Sequence, residues 1–86
     1  MYGLAIFDSG NYAYNLIRIL EEKNIECEIV AIPCQIAKSG CGQCIKFKLT
    51  DMDILVEESK NANISVREIY KIDTKNGKNE YSKIKI

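Results

Sequence analysis

At 86 residues the chain has room for one domain and one modest core, at the size where such a core begins to suffice without staples. With 47% apolar and 28% charged residues it has the profile of an ordinary globular domain rather than of a disordered chain. Twelve basic and twelve acidic residues balance to zero, which argues against nucleic acid as a partner, since that binding is driven by clustered basic charge.

Tyr2–Phe7 is a short, almost wholly apolar run and reads as a central strand. Asp8-Ser9-Gly10 breaks it, with Ser9 suited to cap a following helix. Ala13, Leu16, Ile17 and Leu20 recur at helical spacing, so one face is apolar to about Lys23, and Asn24 is a stop. From Ile25 to Ile32 the pattern alternates, with Ile25, Cys27, Ile29 and Ala31 on one side and Glu26 and Glu28 on the other. Pro33 ends this second strand, and a cysteine-bearing loop runs to about Gln43.

Ile45, Phe47 and Leu49 then alternate with Cys44, Lys46 and Lys48, which predicts a third strand with one polar face. Thr50 followed by Asp53 suggests a capping box with Asp in place of Glu. Met52, Leu55, Val56 and Ser59 mark the inner face of a second helix ending near Asn61–Asn63. Val66–Asp73 is a fourth strand, Asn76-Gly77 a hairpin turn, and Tyr81–Ile86 a short fifth strand laid beside the fourth.

The order β-α-β-β-α-β plus a last strand predicts an α+β fold, a ferredoxin-like two-layer sandwich with an extra C-terminal β-strand. The expected organisation is a single domain over 1–86, with a core at about 2–73 and a hairpin extension at 74–86. This order also places the loop between the second and third strands at the same end as the start of the first helix. Ser9, Gly10 and Asn11 are therefore its expected neighbours, and a helix N-terminus favours an anion such as a thiolate or persulfide. Ile84 and Ile86 share one face of the last strand and need cover from the domain or a second copy, so a homodimer through this tail is an expectation.

No window approaches the ~20 apolar residues of a membrane span, and no basic stretch precedes a signal-like run. The expectation is a cytoplasmic protein with reduced thiols and no membrane partner.

Chemistry concentrates in the loop, where Cys34, Cys41 and Cys44 fall within eleven residues. Cysteine reacts and binds metal as the thiolate, so what lowers its pKa decides its use. Cys41 lies between Gly40 and Gly42, whose freedom of backbone would bring N–H groups close to the sulfur and leave it sterically open. Cys41 is the nucleophile candidate.

Cys44 completes a C-x-x-C pair with Cys41, a spacing that suits a redox disulfide, a metal half-site or a resolving thiol. In thioredoxin-like folds that motif opens a helix, whereas here it precedes a strand. Lys46 and Lys48 share the face of Cys44, and their charge would lower its pKa. Cys34 follows Pro33 and is close enough to join the pair. The three thiolates together could hold zinc or an iron–sulfur cluster with an external ligand. With no histidine in the chain and Cys27 read as a core residue among isoleucines, a closed four-ligand site would need a dimer.

Glu21, Glu22, Glu57 and Glu58 read as solvated helix faces, so the acidic residues offer no catalytic pair. The lack of histidine removes the commonest general base near neutral pH. A carrier or binding role is expected rather than an enzyme.

The segments Phe7-Asp8-Ser9-Gly10, Ile32-Pro33, Ser39-Gly40-Cys41-Gly42 and Ile45-Lys46-Phe47 resemble a small family of bacterial domains of unknown function, the Se/S carrier-like proteins. The resemblance covers roughly Tyr2–Ile72, and the cysteine turn is its specific part. It implies a sulfur or selenium carrier in which Cys41 accepts a persulfide from a protein donor and passes it to a protein acceptor. Such a carrier needs a reactive thiol and a docking surface but no substrate pocket and no cofactor. Cys34 and Cys44 lie outside the family pattern; they would serve as resolving thiols, or in a metal-binding or redox-sensing module with Cys41. A plain interaction or regulatory domain with incidental cysteines is the third reading.

Overall fold

The computed structural model describes residues 1–33, 35–36 and 42–85. β1 (Tyr2–Phe7) leads to α1 (Gly10–Glu22) and the edge strand β2 (Cys27–Ala31). β3 (Gln43–Lys48) follows the loop, then α2 (Met52–Asn61), β4 (Val66–Lys75) and β5 (Lys78–Ile84). The fold is α+β, with five antiparallel strands in the order β2-β3-β1-β4-β5 and two helices. The fifth strand takes the sheet beyond the four strands of the simple ferredoxin-like arrangement.

Both helices lie on one face. Ala13, Leu16, Ile17 and Leu20 of α1 and Leu55 of α2 pack with Ala5, Phe7, Ile45, Phe47 and Ile69 of the sheet in one buried cluster. The two helices end alike. Asn24 and Asn63 take left-handed φ angles of 61° and 57°. The next residue's N–H then reaches back, Ile25 to the Leu20 carbonyl and Ile64 to the Ser59 carbonyl. Asparagine tolerates this left-handed C-cap because its short polar side chain lessens the penalty. Asn76 and Gly77 (φ 51° and 76°) make the same use of left-handed backbone in the β4–β5 turn, the geometry whose twist matches a hairpin.

Several boundaries move for identifiable reasons. β2 is shorter than Ile25–Ile32 because Ile25 is spent on the α1 cap and the Ile32 N–H bonds to Gly42 across the loop base. The Thr50–Asp53 capping box does not form: a 3-10 turn at Leu49–Asp51 leads into α2, Asp51 stands at its N-cap, and no side-chain cap bond is made. β4 runs two residues past Asp73, and β5 starts at Lys78, so the hairpin pairs from Lys75–Lys78 to Ile69–Ile84. Ile84 packs against the helix-face core; Ile86 lies outside the described residues.

At the start of β4 the register slips by one: Ile6 pairs with Glu68, but Phe7 pairs with Val66. Arg67 is the extra residue of a β-bulge, which sets Val66 among the helix-face residues and leaves Glu68 on the opposite side with Tyr70.

Candidate functional site

Strand pairing alone fixes where the cysteine loop emerges. Val30 pairs with Cys44, which pairs with Ile6, so the end of β1, the end of β2 and the start of β3 share one edge of the sheet. Ser9 and Gly10 follow β1 at this edge. Ser9 takes the N-cap position in extended backbone but makes no side-chain bond to the helix, and Gly10 is exposed with no heavy atom near where a Cβ would stand. Arg67, in the bulge, reaches Asp8 at 3.9 Å at the same edge.

Cys34, Gly40 and Cys41 lie outside the described residues, so the expected contact of their loop with Ser9, Gly10 and Asn11 does too. The described ends of the loop take a definite direction. The Ile32 N–H donates to the Gly42 carbonyl at 3.0 Å and closes the base, and the Ile36 N–H donates to the Pro33 carbonyl at 3.1 Å in a turn. Ile32 and Ile36 then pack on the face of the sheet opposite the helices, with Val30, against Leu4, Ile6, Cys44 and Tyr70. Gly42 serves this packing: a Cβ there would stand 3.1 Å from Ile32 Cδ1.

Cys44 is consequently not on a polar face. It is 0% exposed, and burial pushes its thiol up to about 11. The expected lowering by Lys46 and Lys48 is overturned because desolvation of the thiolate dominates. Lys48 is held 3.1 Å from Glu26, and Lys46 stands over the Tyr2 ring, 4.7 Å from its centre. Cys27 is half-buried against the helix-face core, with its sulfur 3.7 Å from the Ile25 carbonyl. Burial first, then the charges of Glu21 and Asp51, raise its pKa. Of the three thiols considered as metal ligands, only Cys44 is described. No group of three His, Cys, Asp or Glu side chains is placed to hold a metal among the described residues.

Glu68 is a chemistry-bearing residue that sequence reasoning passed over. It is 6% exposed on the same face as Cys44, and both residues pair with Ile6 from either side. Its carboxylate takes Lys83 of β5 at 3.0 Å, and the Tyr70 hydroxyl donates to it at 3.3 Å. Little in the sequence signals it, because Arg67 and Lys71 place other charges in the same strand.

The model of the family described as "Putative Se/S carrier protein-like" matches residues 2–71, from β1 through most of β4 and across the cysteine loop. The chain belongs to this Se/S carrier-like family. No match comes from the curated proteins or from the solved structures. The family match covers the edge where β1, α1, β2 and β3 meet and stops before β5, so the last strand is an addition to the matched unit. None of the described helices is long and apolar enough to cross a membrane.

Proposed function

We propose that this member of the Se/S carrier-like family carries sulfur, or its congener selenium, on Cys41 and moves it between two proteins, a donor and an acceptor. The family match over residues 2–71 is the observation that carries this reading. The Cys41 thiolate attacks the terminal sulfur of a donor persulfide; the donor leaves as thiolate, and Cys41 holds the S–SH group. Unloading onto an acceptor thiol is the same exchange in reverse order. A second thiol, Cys44 or Cys34, can instead attack the Cys41 sulfur of the S–SH group, closing a disulfide and expelling hydrosulfide.

The persulfide of a loaded carrier is an anion at neutral pH, and the start of α1 at Ser9 and Gly10 suits an anion through its free N–H groups. Gly40 and Gly42 flank Cys41 in sequence, and glycine adds no side chain to obstruct a protein-sized partner. We infer too that β1 to β4 with α1 and α2 form the ferredoxin-like unit of the family, with β5 appended at its β4 edge.

Intact-mass measurement after incubation with a low-molecular-weight persulfide tests the reading. The wild-type chain is expected to gain about 32 Da, one sulfur atom, reversed by reductant, and Cys41→Ser to gain nothing. An equal gain in Cys41→Ser overturns the assignment.

A further inference from the structure

In a two-layer α+β domain the sheet face away from the helices ordinarily meets water, yet here Cys44, Leu4 and Ile6 on that face are all but inaccessible. Part of the cover comes from the first residues of the cysteine loop. Ile32 and Ile36 pack against the cluster that contains Cys44, and each is fixed by its own backbone bond, Ile32 to Gly42 and Ile36 to Pro33. Only a glycine at 42 lets Ile32 seat this closely without displacement. Both isoleucines are half-buried, so this cover is held by far less apolar contact than the helix-face core.

We propose that Ile32 and Ile36 form a strap that keeps Cys44 out of thiol exchange, and that lifting of the strap is the step that admits it. A thiol under the strap is both unreachable and held protonated, so a loaded chain would keep its sulfur until the strap lifts. Docking of an acceptor that competes for the same apolar face would be one way to lift it. The proposal deepens the carrier reading, and its consequence for sulfur release rests on that reading; the accessibility of Cys44 does not.

The test uses a full-length chain in which Cys44 is the sole thiol (Cys27, Cys34 and Cys41 each replaced by Ser), reacted with the aromatic disulfide DTNB. The native protein is expected to react at least about a hundredfold more slowly than the same chain in denaturant. Ile36→Ala is expected to raise the native rate about tenfold, while Val56→Ala, a comparable loss on the helix-covered face, leaves it within about twofold. A native rate equal to the denatured rate overturns the proposal, as does equal acceleration by Ile36→Ala and Val56→Ala, which would mean exchange through global unfolding. Should Ile36→Ala lack a cooperative unfolding transition, Ile36→Val decides by the same comparison. Because Cys41 is absent from the test chain, failure here leaves the carrier reading standing, and failure to load Cys41 leaves the strap standing.

Discussion

The two faces of the sheet are buried by different means. On one, α1 and α2 press Leu16, Leu20 and Leu55 onto Ala5, Ile45, Phe47 and Ile69, with Cys27 and Met52 packed at the margin. On the other, Val30, Ile32, Ile36, Ile72 and Tyr81 pack against Leu4, Ile6, Cys44 and Tyr70, and the buried Glu68 beside them pairs with Lys83. The larger buried cluster is on the first face. Cys44 and Glu68 are on the second, where the proposed strap would let a local opening reach the thiol without unfolding the domain.

The comparison breaks most severely if β5 is dispensable. β5 brings Lys83 to Glu68 on one face and Ile84 to the core on the other, so truncation after Asp73 strips cover from both. We expect a large fall in thermal midpoint or loss of cooperative unfolding; an unchanged melting curve would show the tail to be an appendage.

Next comes a pair of substitutions. Phe47→Ala opens a cavity in the helix-face core and is expected to cost about 3–5 kcal/mol in urea unfolding. Ile36→Ala, losing a half-buried side chain at a loop, is expected to cost about 1 kcal/mol. Equal costs would mean that the two faces fold as one unit.

A smaller effect is specific to the thiol. Cys44 has its pKa raised from 9.0 to about 11, so between those values the folded chain keeps a proton that the unfolded chain has lost. Stability contributed by the neutral thiol is therefore complete below pH ~9 and falls as pH rises towards ~11, by about 3 kcal/mol across the window. Unfolding curves of Cys44→Ala should lack this component, and the difference from wild type isolates it from the rest of the chain. Lys83 and Lys48 work in the same direction: their raised pKa values, set chiefly by hydrogen bonds to Glu68 and Glu26, mean support that is present below the ordinary lysine range and lost above it.

The smallest expected change is a gain. Asn24 already sits at a left-handed C-cap, and Asn24→Gly should stabilise by a few tenths of a kcal/mol, up to about 0.5, as a slight rise in thermal midpoint. A loss would mean that the asparagine side chain does more than tolerate the angle.

What the sequence makes legible follows the same division. α1 and the Leu55–Ser59 face of α2 are readable because helical periodicity is local and their apolar stripes meet the sheet directly. The Asn76-Gly77 turn is readable because its backbone demands those residues. The second face is not. Alternation places Cys44 on the side of Lys46 and Lys48, but whether that side is wet depends on Ile32 and Ile36 folding back over it, a contact outside any strand pattern. Glu68 is hidden for a related reason. The bulge at Arg67 resets the phase of β4, so simple alternation from Val66 assigns it the wrong face. Of the proposed site, Ser9, Gly10, Gly42 and Cys44 can be placed in the fold, whereas Gly40 and Cys41 rest on sequence and family, and Cys34 on sequence alone.

The contrast between a reactive loop thiol and a strapped one is tested most directly by mapping where sulfur goes. The wild-type chain is loaded with a low-molecular-weight persulfide under native conditions, capped with an alkylating agent, digested, and read peptide by peptide by mass. The account predicts the added sulfur on the Cys41 peptide, with Cys44 neither loaded nor alkylated until denaturant is added. Sulfur recovered on Cys44 at the level of Cys41 in the native protein would contradict it.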